Sequence, residues 1–93
     1  YLKDLLNTDQ YLVPATGNNN NNYLKAKTTA GGSNWTITFS NNEAVITNTG
    51  DINTNGRNIV RYNSTNSPPL FSCYALASQS AVYLYRRAYS VTY

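Results

Sequence analysis

The chain has 93 residues, with seven Lys/Arg against four Asp/Glu for a net charge of +3, and a single cysteine. That length allows one small domain or part of a larger one, and 41% hydrophobic residues exclude a disordered chain, while only 12% charged residues leave solubility to Asn, Ser and Thr. The bases are scattered apart from Arg86-Arg87, which argues against nucleic acid; one cysteine excludes an internal disulfide, and no run approaches the ~20 apolar residues of a membrane span.

Tyr1 to Leu6 is ambiguous between a short helix and a strand, so residues 1–9 are set aside as an upstream element. Gln10 to Pro14 reads as a strand that ends where proline withdraws its donor. Gly17 and the asparagines from Asn18 to Asn22 form a loop, since Asn tolerates left-handed backbone angles. In the next strand, Tyr23 to Thr28, Tyr23, Lys25 and Lys27 alternate with Leu24 and Ala26.

The clearest unit follows. In Trp35-Thr36-Ile37-Thr38-Phe39-Ser40 the apolar residues occupy one side of a period-two strand and the hydroxyls the other. Asn41-Asn42-Glu43 reads as the turn and Ala44 to Thr47 as the return strand, so a β-hairpin with Trp35, Ile37 and Phe39 buried is expected. A polar loop from Thr49 to Arg57 leads to a strand over Asn58–Asn63. Leu70–Tyr74 and Ala81–Arg86 complete about seven short antiparallel strands. Val82 and Leu84 are expected in the core, with Tyr83 and Tyr85 facing out or lining a groove. The expected fold is all-β, one module over residues 1–93: a small barrel or sandwich, with a trefoil or half of a larger β domain as alternatives. The tail from Ala88 to Tyr93 alternates again and offers an edge for association.

Catalysis has little to work with. Without histidine no Ser-His-Asp or Cys-His system forms, and Asp4, Asp9, Glu43 and Asp51 supply no adjacent pair for glycoside cleavage. Cys73, inside Leu70–Tyr74, reads as a small buried apolar residue. Asp51-Ile52-Asn53-Thr54-Asn55-Gly56 matches the first half of a calcium loop, whose ligands would be Asp51, Asn53 and Asn55. The match then fails, because Tyr62 stands at position twelve where a bidentate Glu belongs. The preferred reading is a plain turn, with no cofactor and calcium as the alternative.

Nine tyrosines on a weakly charged, Asn-rich background suit sugar binding, in which rings stack on pyranose faces and amides both donate and accept. Tyr62, Asn63, Tyr74, Tyr83 and Tyr85 are the candidate ligand-binding residues. Cross-strand packing is the competing reading for each tyrosine, and Trp35 reads as core.

Five segments in order (the Trp35 strand, Ala44-Val45-Ile46, Arg61-Tyr62-Asn63-Ser64, Leu70-Phe71-Ser72-Cys73-Tyr74 and Val82-Tyr83-Leu84-Tyr85) give residues 11–87 a pattern that resembles the C-terminal β-rich module of secreted and surface proteins of Bacteroides-type gut bacteria. The resemblance implies export to the cell surface or medium and a binding or architectural role, and it brings no catalytic residues with it. The Asn18–Asn22 run departs from the pattern. The chain carries no signal peptide and begins at Tyr1 without a methionine, so it reads as processed or as part of a longer protein. The expected function is non-catalytic recognition of a glycan or host surface molecule. The alternatives are an adhesin-type subunit or spacer assembling through edge strands, and a fragment of a larger secreted enzyme.

Overall fold

The computed structural model describes residues 10–50, 52–75 and 78–85. The upstream segment 1–9, Asp51 and the tail 88–93 therefore lie outside the described residues. Within them the chain is all-β, with β1 (Tyr11–Pro14), β2 (Leu24–Lys27), β3 (Trp35–Ser40), β4 (Glu43–Asn48), β5 (Ile59–Asn63) and β6 (Leu70–Tyr74). β1 and β2 make a two-stranded sheet, and β3-β4-β5-β6 an antiparallel meander. No described helix is long and apolar enough to cross a membrane.

Two corrections concern strand number and closure. Among the described residues six strands form, and the meander ends at β3 on one side and β6 on the other, so the sheet is open rather than a barrel. Of the expected seventh strand over Ala81–Arg86, residues 81–85 are described, and there two isolated bridges, Tyr62–Ser80 and Ala44–Val82, stand in place of a strand. The cause lies in how β4 and β5 diverge. They pair at Thr47 opposite Ile59, and continued at that register Ala44 would face Tyr62. Instead Ser80 exchanges both backbone bonds with Tyr62 (3.1 and 3.0 Å), and Ala44 N donates to Val82 O at 2.7 Å. The Ser80–Val82 segment thus satisfies, at the splayed end, the backbone groups an unbroken ladder would have paired.

The expected hairpin of β3 and β4 forms, with Ile37 opposite Ile46 and Phe39 opposite Ala44. Its turn is tighter than expected. Glu43 already pairs with Ser40, leaving Asn41 and Asn42 as a two-residue loop at φ +51° and +67°. Both values are left-handed, as a primed hairpin turn requires and as asparagine tolerates.

The expected buried face is only partly buried. Trp35, Ile37 and Phe39 do share a side with Asn48, Ile46 and Ala44, but Ile37 is 47% and Phe39 65% exposed. The core gathers one strand further in, from Ala44, Ile46, Val60, Cys73 and Val82, with Leu24 and Trp35 packed against it. Period two assigns a side chain to a face; whether anything lies over that face is a tertiary matter, and β3 is the outermost strand. Trp35 is the exception on β3, because the β1–β2 sheet sits beside it and its Nε1 donates to Leu12 O at 3.1 Å.

The largest fully buried side chains include two amides, Asn48 and Asn53. Asn48 donates from Nδ2 to Gly32 O (2.8 Å) and accepts at Oδ1 from Gly50 N (3.2 Å), drawing the loop after β4 against the loop before β3. The approach is close enough that a Cβ at Gly50 would stand 2.7 Å from Gly32 O, a backbone atom with little room to yield. Gly50→Ala is accordingly expected to cost about 1–3 kcal/mol, read as a lower midpoint in urea with an unchanged slope.

Candidate functional site

The solvent-exposed end of the large sheet collects aromatic rings from three places. Phe39 comes from the end of β3 and the Asn41-Asn42 turn follows it. Tyr83, Leu84 and Tyr85 come from the chain leaving the Val82 bridge, and together these residues enclose a groove of about 530 Å³. A second hollow of about 240 Å³ is lined by Tyr62, Phe71, Ala81, Val82, Tyr83 and Tyr85, so Tyr83 and Tyr85 stand between the two. Tyr62 and Phe71 are direct cross-strand partners on β5 and β6, with ring centroids 5.0 Å apart and planes tilted by 47°. That is the offset geometry aromatic quadrupoles favour.

Two anchors hold the Tyr83–Tyr85 segment. One is the pair of bridges already described. The other is Arg61, whose Nε donates to Ser78 O (2.9 Å) and whose Nη2 donates to Gln79 O (3.0 Å), fixing the chain just before it. A guanidinium presents its donors in a rigid fork, which suits the clamping of two successive carbonyls. Val82 takes the core place expected of it. Leu84 does not: it is 48% exposed and lines the groove, because the chain leaves the sheet after the Ala44 bridge.

Of the residues singled out from the sequence, Tyr62, Tyr83 and Tyr85 come together here. Asn63 and Tyr74 do not join them. Asn63 follows Tyr62 on an extended strand and so faces the other way. Its Nδ2 donates to the hydroxyl of Tyr74, which is 6% exposed, and its Oδ1 accepts from Thr65 N, Thr65 Oγ1 and Asn66 N. Both side chains are engaged in closing the turn after β5. Sequence reasoning missed Phe39, Phe71, Asn41 and Asn42. Phe71 carried a signal, since it falls in phase with Cys73 on the strand that pairs with Tyr62, but the register that sets it beside that ring is not written locally.

In the half-matched calcium loop, Asn53 and Asn55 fall within the described residues and Asp51 outside them. Asn53 is 1% exposed, and its Oδ1 accepts from Asn55 N (2.9 Å) and Arg57 N (3.2 Å), which uses both lone pairs. Its Nδ2 donates to Asn19 O at 2.7 Å, and Asn55 Nδ2 donates to the side-chain oxygens of Asn18 and Asn20. The asparagine run before β2 is therefore the docking partner of this turn, joined further by the Gly17–Asn53 bridge. Among the described residues no group of three His, Cys, Asp or Glu is placed to hold a metal ion.

Cys73 lies wholly out of solvent, and burial, which penalises the thiolate, pushes its pKa up to about 12. The folded thiol should resist a disulfide reagent at pH 8 and react only on unfolding. The folded state keeps a proton that the unfolded chain releases above about pH 9. Stability conferred by this group is thus complete below pH 9 and falls by roughly 1 kcal/mol per unit above it, seen by comparing the wild type with Cys73→Ala across pH 8–11.

Among the described residues, no charged side chain lines either aromatic hollow. The chemistry these described residues offer is ring faces, phenolic hydroxyls and amides. Comparison with known proteins finds no matching family model, no similar curated protein and no similar solved structure.

Proposed function

We propose that this chain is a non-catalytic recognition module of an exported bacterial protein, and that it binds a neutral glycan in the groove between the Asn41-Asn42 turn and Tyr83–Tyr85. The observation that carries the reading is the convergence of exposed rings, Phe39 at 65%, Tyr83 at 50% and Tyr85 at 88%, beside two amide side chains in a groove whose described lining carries no charge. An apolar patch of this kind is costly to leave in water and characteristically marks a contact surface. Pyranose rings have apolar C–H faces edged by hydroxyls, and aromatic faces with neighbouring amides complement both. The absence of histidine and the scarcity of acids support a role without catalysis. The sparsely charged, Asn-rich composition and the resemblance of residues 11–87 to exported modules support localisation at the cell surface or in the medium.

A glycan array probed with the purified chain, with and without calcium, tests this. Specific signal on neutral glycans that is indifferent to calcium is expected. A blank array from folded protein would overturn the reading.

A second reading has its own observation. β3 is an edge strand of six uncharged residues with Ile37 and Phe39 exposed, and such an edge is a template for pairing with another chain. An adhesin-type subunit assembling through this edge would sediment as a dimer or larger species at micromolar concentration. A strictly monomeric chain would count against it.

A further inference from the structure

The small sheet carries a cavity that shares no residue with the aromatic groove. It measures about 250 Å³ and lies where the chain leaves β1 and passes β2. Part of its lining is the buried run Val13, Pro14 and Ala15. Tyr23, Lys25 and Lys27 contribute from β2 and its approach, and Asn19 from the asparagine loop.

The charge in this cavity is uncompensated by its own lining. Lys25 and Lys27 stand two positions apart on one extended strand, so they project on the same side, about 7 Å apart at their bases. Among the described residues, no Asp or Glu lines it. Lys25 Nζ lies 5.0 Å over the Tyr23 ring, an arrangement that orients the ammonium without neutralising it. Asn19 is pinned, since its Oδ1 accepts from Asn21 N and its backbone oxygen accepts from Asn53 Nδ2. Its NH₂ has no hydrogen-bond partner among the described residues. Two ammonium groups and an amide donor around an apolar wall match a ligand with one anionic group on a compact, partly apolar body.

We propose that the β1–β2 hairpin holds a second binding site, specific for the anionic group, carboxylate or sulfate, of an acidic sugar. Lys25 and Lys27 bracket the anion and Asn19 donates to it, while Val13, opposite Lys25, and Tyr23 line the wall beside it. The site does not depend on the groove, and the two are separable by mutation.

The test uses the whole chain, with backbone amide shifts followed by NMR during titration with methyl glucuronide, methyl glucoside and inorganic sulfate. Methyl glucuronide should shift Thr16, Asn19 and Tyr23–Lys27, bind at least tenfold more tightly than methyl glucoside and than sulfate, and weaken about tenfold in the double variant Lys25→Gln/Lys27→Gln. Tyr85→Ala should leave this titration unchanged, so loss of the groove and loss of this site read differently. Equal binding of glucuronide and glucoside, or glucuronide binding that survives the double lysine variant, would overturn the proposal. Equal binding of sulfate and glucuronide would do so as well, because it would mean attraction of any anion without recognition of the sugar body.

Discussion

Replacing Asn53 by alanine is expected to lower the folding free energy by about 3–4 kcal/mol, a large share of what a domain of this size has. The side chain is buried and makes three hydrogen bonds: it accepts from Asn55 N and Arg57 N and donates to Asn19 O. Truncation leaves those three backbone groups to find water or go unpaired, at about 1–3 kcal/mol for each that stays dry. It also opens a gap where the 17–20 loop meets the 52–58 turn. Asn58 does not stand in for it, because its Oδ1 accepts from Asn53 N and its Nδ2 donates to Asn53 O, both backbone groups that the substitution keeps. Asp, isosteric but without the NH₂, should recover the two accepted bonds and lose the one to Asn19, giving an intermediate cost. Denaturant unfolding of the three proteins gives the ranking, and a loss below 1 kcal/mol for alanine would show that the loops are held together by something else.

Removing both rings in Tyr83→Ala/Tyr85→Ala is expected to weaken glycan binding about 100-fold, roughly 2.7 kcal/mol, while leaving the unfolding midpoint nearly unchanged. The two effects separate because the rings are 50% and 88% exposed, and the segment is anchored by backbone bonds at Ser80 and Val82 rather than by the phenols. Titration of an array-positive oligosaccharide against each variant measures it. Tyr83 adjoins both hollows and Tyr85 likewise, so the pair should matter more than Phe39, which lines only one. Undiminished affinity in the double variant would remove the groove as the binding site.

How much of this was legible in the sequence varies by element. The β3–β4 hairpin was readable because both its alternation and its Asn-Asn turn are local: period two sets the faces, and left-handed tolerance sets the bend. β1, β2, β5 and β6 fall where alternation and the Gly, Asn and Pro breaks put them. The Ala81–Arg86 run looked no different, yet its described part, residues 81–85, makes a bridge instead of a strand, since its partners depend on how far β4 and β5 splay. The candidate site divides the same way. That Tyr62 and Asn63 face opposite sides is local, whereas the meeting of Tyr62 with Phe71, Tyr83 and Tyr85 requires a long-range register. The Asn18–Asn22 run departs from the resembled pattern, and the bonds of this loop to Asn53 and Asn55 span more than 30 residues.

Composition, periodicity and turn residues by themselves determined that this protein is all-β, where most of its strands lie and which face each side chain takes, because those depend on interactions between near neighbours. Tertiary structure alone decided which face is covered, which strand is left at the edge and which rings share a groove. Those outcomes rest on pairing distant segments, where the free energy lies in burying surface and satisfying backbone groups that no single stretch of chain contains.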